Sequence, residues 1–165
     1  GNTEGKTSMR KEESSYIAGF LDGDGCIMLQ LVYRHDYVLG YQIRASVVFY
    51  QKQQYRSFLH WLQEQFGGIG YIRNRNDGMS EYTIVGIADV KSVLQLLLPY
   101  LRLKKPQAEI ALHVISQMPG SGRKMTVEKL LLLAKDVDRF LELNYSKKRV
   151  NTSAKLEAFL ASKHT

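Results

Sequence analysis

The stretch Ser15 to Leu31, SYIAGFLDGDGCIMLQL, starts with helical periodicity, meets three glycines and two aspartates, and leaves as an alternating strand. Glycine inside a helix costs about 1 kcal/mol relative to alanine, so Gly19 and Gly23 need a compensating contact. Four residues apart, they share one face, and with Ala18 they form a strip of small residues on which a second helix can approach closely. Asp22 and Asp24 fall at the carboxyl end of that helix, where its dipole disfavours acids by roughly 0.3–1 kcal/mol. A positive partner is therefore required. If the second helix belongs to a symmetry mate, the acids of two copies converge, and two unit charges 4 Å apart repel by about 4 kcal/mol at an effective dielectric of 20. Divalent cations reverse that sign, and oxygen donors select hard ions such as Mg²⁺ or Ca²⁺.

Spacing excludes two other uses of an acidic, glycine-rich turn. A calcium loop starting at Asp22 needs glycine at its sixth position and an acid at its twelfth, where this chain has Ile27 and Tyr33. A dinucleotide-binding turn follows a strand, whereas this one follows a helix. The residues alone leave two readings open: a cation site at a helix pair, and plain helix packing with a Gly-Asp turn.

Downstream, two strands joined near Asp36 to Gly40 place Ile27, Leu29, Leu31 and Tyr33, then Ile43, Ala45, Val47 and Phe49, on a dry face. Met28, Gln30, Val32 and Arg34, with Gln42, Arg44, Ser46 and Val48, point the other way, giving a largely polar side. A helix carrying Tyr55, Phe58, Leu59, Leu62 and Phe66 stops at Gly67-Gly68. A second strand pair turns at Asn76-Asp77-Gly78, with Arg73 and Arg75 on one side and Glu81 and Thr83 alternating with Tyr82 and Ile84. The remainder reads as helices: one capped by Asp89 and ended by Pro99, one opened by Pro106 with Ala108, Ala111, Leu112, Ile115 and Met118 inward, one capped by Thr126, and a short one capped by Ser153. The order predicts an α+β fold, a four-stranded antiparallel sheet with helices on one face and extra C-terminal helices.

With 165 residues the chain suits one domain, here taken as 13–165 after a flexible tail at 1–12. Its net charge of +7 favours a polyanionic partner. A lone cysteine excludes internal disulfides and cysteine-rich zinc modules. No apolar run approaches the roughly 20 residues of a membrane span, so a soluble protein with no membrane partner is expected. The polar sheet face supplies candidate base readers, because arginine pairs bidentately with guanine and glutamine with adenine. These are Gln30, Arg34, Gln42, Arg44, Arg73 and Arg75, with Glu81 and Thr83 orienting them and Tyr37 at the hairpin tip. Lys52, Lys105, Arg123, Lys124 and Lys147 to Arg149 are candidates for phosphate anchoring.

The run YIAGFLDGDGCI resembles the signature of the LAGLIDADG homing endonucleases, specifically their single-motif, homodimeric, organellar intron-encoded branch. Gln51-Lys52, GYIRNR at Gly70 to Arg75 and YLRLKKPQA at Tyr100 to Ala108 extend the likeness. The resemblance implies an αββαββα core whose saddle-shaped sheet lies in the DNA major groove, and a dimer joined through the motif helices at Ala18, Gly19, Asp22 and Gly23. It also implies double-strand cleavage of a long near-palindrome, one phosphodiester per strand, and residence in a chloroplast or mitochondrion. Asp24 would bind the metal with the Gly23 carbonyl; Mg²⁺ would be the cofactor, Mn²⁺ a substitute and Ca²⁺ a ligand that does not support cleavage. Gln51 would position the attacking water and Lys104 would sit near the scissile phosphate. The chain departs from the family where relatives carry a basic residue and it has Tyr55, leaving Arg56 as the nearest guanidinium, about 100° away around the helix. The rival readings are a maturase acting on intron RNA, or another non-cleaving nucleic-acid binder of the same fold, and a purely structural dimerising domain.

Overall fold

The computed structural model describes residues 9–120, 122–144 and 151–163. The opening helix α1 (Lys11–Asp24) begins two residues inside the expected tail. It buries Ser14, Ile17, Ala18 and Leu21, the three- and four-residue spacing of one helical stripe. Strands β1 (Gly25–Tyr33) and β2 (Tyr41–Lys52) follow, then a 3₁₀ turn at Gln53–Tyr55, helix α2 (Arg56–Gln65), strands β3 (Tyr71–Asn74) and β4 (Met79–Val85), and helix α3 (Ile87–Leu97). After a second 3₁₀ turn come α4 (Lys105–Gln117), α5 (Val127–Leu143) and α6 (Ser153–Lys163). The first seven elements make the αββαββα core.

All strand pairs are antiparallel and the spatial order is β1-β2-β4-β3. Gly25 pairs with Phe49 and Tyr33 with Tyr41, so the alternation read from the sequence sends Ile27, Leu29 and Leu31, with Ile43, Ala45, Val47 and Phe49, to one contiguous core. Tyr82 and Ile84 of β4 join them, and the inward faces of the six described helices close over that side. The opposite sheet face stays open. Among the described residues, no helix is long and apolar enough to cross a membrane.

Four local expectations are corrected. Gly86, at a φ of 94°, opens α3 in place of Asp89, which lies within the first turn; a positive φ suits glycine alone. Thr152 caps α6, accepting from the Lys155 amide at 3.4 Å, while Ser153 uses its amide and hydroxyl to donate to Asp138. Val114 occupies the buried place expected for Leu112. Tyr33 is not in the core: it stacks edge-on with Tyr41 and with Phe159 of α6 at the sheet's outer end. Thr126 caps α5 as expected, accepting from the Lys129 amide at 3.1 Å. The Lys147 to Arg149 run lies outside the described residues.

Candidate active site and nucleic-acid interface

The two acids of the motif face different surroundings. The Asp22 carboxylate accepts hydrogen bonds from the backbone amides of Arg102, Leu103 and Lys104 at 2.8, 3.2 and 2.9 Å. Lys104 Nζ donates to the Asp22 backbone carbonyl at 2.7 Å. These amides lie just ahead of α4, so the positive partner demanded at the end of α1 is the amino end of another helix plus an ammonium. Asp22 therefore turns into its own chain and serves the carboxyl end of its helix. Asp24 is exposed, and no hydrogen bond or ion pair engages its carboxylate among the described residues.

Ala18 is corrected as an interface residue: it is fully buried, on the Ile17–Leu21 side of the helix. Gly19 and Gly23 are exposed, and a Cβ built on either would meet nothing within 4 Å. Beside this bare strip, Tyr16 of α1 stands 57% exposed against Phe58 and Trp61 of α2, with ring centroids 6.1 and 6.2 Å away. Gly25 serves a different need that sequence reasoning missed. A Cβ there would lie 2.5 Å from Leu21 Cδ1 and 3.0 Å from the Val48 carbonyl, so only glycine lets the helix turn directly into the strand.

The pairing of Gly25 with Phe49 puts Gln51, two residues further along β2, level with the end of α1. Lys104 reaches the same end through its bond to Asp22, so Asp24, Gln51 and Lys104 gather at one corner of the sheet. Arg56 connects to it through a chain of polar groups. Its guanidinium donates to Asn74 Oδ1 and, through Nε, to His60 Nε2 at 3.3 Å. The same Asn74 oxygen accepts from Ser80 Oγ at 2.7 Å, and Ser80 is the ladder partner of Gln51. Ser80 carried no motif, and the role of Asn74, which lies within GYIRNR, emerges only from the register. Burial raises the pKa of the Cys26 thiol, opposed by the positive charge of Lys104, so the group beside this corner stays protonated at neutral pH.

The open sheet face is crossed by rows of ladder partners. Gln30 faces Arg44, Val32 faces Gln42, and Tyr50, Glu81 and Arg73 align across three strands. Glu81, only 8% exposed, holds Arg73 Nε in an ion pair while the arginine remains largely in solvent. Arg75 lies 5.9 Å from the centroid of the Tyr50 ring and pairs with Asp77 at 2.9 Å. At the hairpin tip, Arg34 sits over the Tyr37 ring and pairs with Asp36 at 3.2 Å. Thr83 is nearly buried between these rows. The face is less uniformly polar than the alternation suggested, since Met28, Val48, Val85 and Tyr71 line the same shallow concavity.

Residues 17–111 match a family described as LAGLIDADG endonuclease. The chain is 41% identical over 123 residues to "DNA endonuclease I-CvuI" of Chlorella vulgaris, covering 74% of this chain and 76% of that one. It is 36% identical over 156 residues to "DNA endonuclease I-CreI" of Chlamydomonas reinhardtii, covering 94% and 93%. A crystal structure of I-CvuI with the I-CreI target and magnesium, its DNA uncleaved, superimposes with a TM-score of 0.86 at 35% identity, covering 94% of this chain and 96% of that one. A second I-CvuI complex, with its own target and calcium, gives 0.85 at 36% identity, covering 92% and 94%.

Proposed function

This chain belongs to the LAGLIDADG endonuclease family and is a site-specific DNA endonuclease, and we propose that two copies, joined along Gly19 and Gly23, cut both strands of a near-palindromic duplex with divalent cations. Asp24 is the single observation that carries this reading. An exposed carboxylate at a helix C-terminus, beside a strip bare of side chains and without a partner among the described residues, is disfavoured by roughly 0.3–1 kcal/mol unless a cation comes to it. Among the described residues, no group of three or more His, Cys, Asp or Glu side chains could hold a metal ion within one chain. A second copy and DNA phosphates would complete the ligand set. Tyr16, Phe58 and Trp61 extend the same surface with apolar area that association would bury.

The donors present suit a hard cation, held by the Asp24 carboxylate and the Gly23 carbonyl, with Mg²⁺ as the working ion and Mn²⁺ as a substitute. Such an ion supplies an activated water and offsets the charge that builds on the phosphate. The chain's own groups do the rest. Gln51, at the end of β2, orients the water through its carboxamide, and Lys104 presents its ammonium to the phosphate from a position fixed by the Asp22 carbonyl. Arg56, tied to Asn74, supports the Gln51 row from behind. Gln30, Gln42, Arg44, Arg73 and Arg75 read bases from the sheet, with Glu81 aiming Arg73, while Arg34 and Tyr37 reach outward from the hairpin tip. Relatives from Chlorella vulgaris and Chlamydomonas reinhardtii support an organellar origin for the chain.

The test is a duplex target selected from a randomised library, incubated with Mg²⁺ and either the native protein or Asp24→Asn. Cleavage should fall by on the order of 10³-fold in the variant while the complex still forms. Equal cleavage by Asp24→Asn would remove that carboxylate from the chemistry.

A further inference from the structure

Between the two arginine-bearing rows of the open face runs a band of different chemistry. On its outer side Gln30 faces Arg44, and on its inner side Tyr50, Glu81 and Arg73 align. In the band itself Met28, Ser46 and Val85 form one row, and Cys26, Val48, Thr83 and Tyr71 form the next, across all four strands. Neither row contains an amide, a guanidinium or a carboxylate. Val48 is 4% exposed and makes the floor, while Val85 is 38% exposed and Met28 is half-buried, so both present apolar atoms to whatever lies in the concavity. Rows two residues apart are separated by about 6.8 Å, so each covers about two base pairs of the 3.4 Å duplex rise.

Bases above such a band cannot be read as the arginine rows read theirs. A guanine or adenine edge set against Met28 and Val85 loses hydration without a bidentate partner, which costs free energy. The apolar group that a base offers in the major groove is the C5-methyl of thymine. We propose that Met28 and Val85, over the Val48 floor, form a methyl-reading band that selects thymine at the half-site positions between those read by Arg44 and Arg73. The proposal rests on the sheet being the DNA-binding face and adds to it the class of base read there. A valine more than one-third exposed at the centre of a nucleic-acid surface thereby acquires a partner, and the single charged pair at the band's inner edge, Glu81 with Arg73, marks where hydrogen-bond readout resumes.

The experiment begins with the target that the native protein cleaves after library selection. Thymine should be enriched on one strand at one or more positions between the two arginine-read segments. Each such thymine is then replaced by uracil, which keeps every hydrogen-bonding group and lacks only the methyl. Affinity should fall about fourfold per position, the equivalent of losing one buried methyl. In a target carrying cytosine there, 5-methylcytosine should bind about fourfold more tightly than cytosine. A Met28→Ala/Val85→Ala protein, verified by its unfolding midpoint, should show a thymine-to-uracil ratio near one. The inference is overturned by a selected site without thymine in that interval, by equal binding of uracil and thymine with the native protein, or by a ratio unchanged in the double variant. A library from which nothing is cleaved would instead overturn the endonuclease reading, and this one with it.

Discussion

Asp22 and Asp24 stand two residues apart, at the same end of one helix, with the same side chain, and do opposite things. Asp22 is surrounded by donors: three amides and, on its carbonyl, an ammonium. Its charge is neutralised inside the chain and ties α1 to the start of α4. Asp24 has none of these among the described residues, so its charge is available to something from outside. The glycines divide similarly. Gly25 is demanded by the fold, because Leu21 and the Val48 carbonyl fill the space a side chain would need, whereas Gly19 and Gly23 face open space and are demanded by nothing within one chain. Folding and function are thus interleaved residue by residue across the motif, and a residue's neighbours, more than its type, decide which role it has.

The strongest way to break the comparison is to neutralise each acid in turn. Asp24→Asn should lower the cleavage rate by on the order of 10³-fold, the scale seen when a group acting directly on the transition state is removed, with binding within about threefold. Asp22→Ala should instead destabilise, because three amides lose a charged acceptor. About 2–3 kcal/mol is expected, read as a fall of roughly 5–10 °C in Tm, with cleavage per folded molecule largely kept. Reversed outcomes would exchange the two roles.

The glycines give a test of sign. Gly25→Ala should cost about 1–3 kcal/mol of unfolding free energy even in dilute monomer, as overpacking does. Gly19→Ala should stabilise the monomer by up to about 1 kcal/mol through helix propensity, yet weaken dimerisation about tenfold in sedimentation equilibrium. Were Gly19→Ala to leave the dimer unchanged, the bare strip would not be the contact.

The smallest effect lies at alkaline pH, away from the two acids. Burial raises the pKa of Tyr82, whose hydroxyl donates to the Ile69 carbonyl at 2.8 Å, and also those of Tyr50 and Cys26. The unfolded chain releases these protons first, at ordinary values near 8.5 for cysteine and about 10 for tyrosine. Their stabilisation is therefore complete below that range and declines as pH rises through and above it. Urea midpoints at pH 8 and pH 10 should show the decline, reduced in Tyr82→Phe.

Periodicity carried most of the fold. Alternation in β1, β2 and β4, with glycine stops after α2 and in the β3–β4 turn, identified the sheet because a two-residue period leaves few competing arrangements. The need for a positive partner at the end of α1 was also legible, since acids at a helix C-terminus are disfavoured by its dipole. Asp22 was not legible as a staple, because its partners lie about 80 residues away in sequence. Ala18 was assigned to the strip by size, although the wheel already set it beside Ile17 and Leu21. Ser153 and Thr152 are adjacent and both able to cap, and only the position of Asp138 separates them. The sheet face looked polar because its charged residues are conspicuous, while the valine and methionine rows become visible only when four strands are placed in register.

At the far end of the molecule, Phe159 sits where a side chain on Gly40 would have to grow: a Cβ there would lie 2.3 Å from the ring. The same ring braces Tyr33 and Tyr41, and Asn151 donates to the Leu31 carbonyl at 2.8 Å, so the hairpin that carries Arg34 and Tyr37 is propped from below. Anyone retargeting this nuclease by randomising that loop inherits a fixed pivot. Diversity at Arg34 and Tyr37 swings from it freely, whereas a library that varies residue 40 would collect misaligned hairpins in place of new specificities.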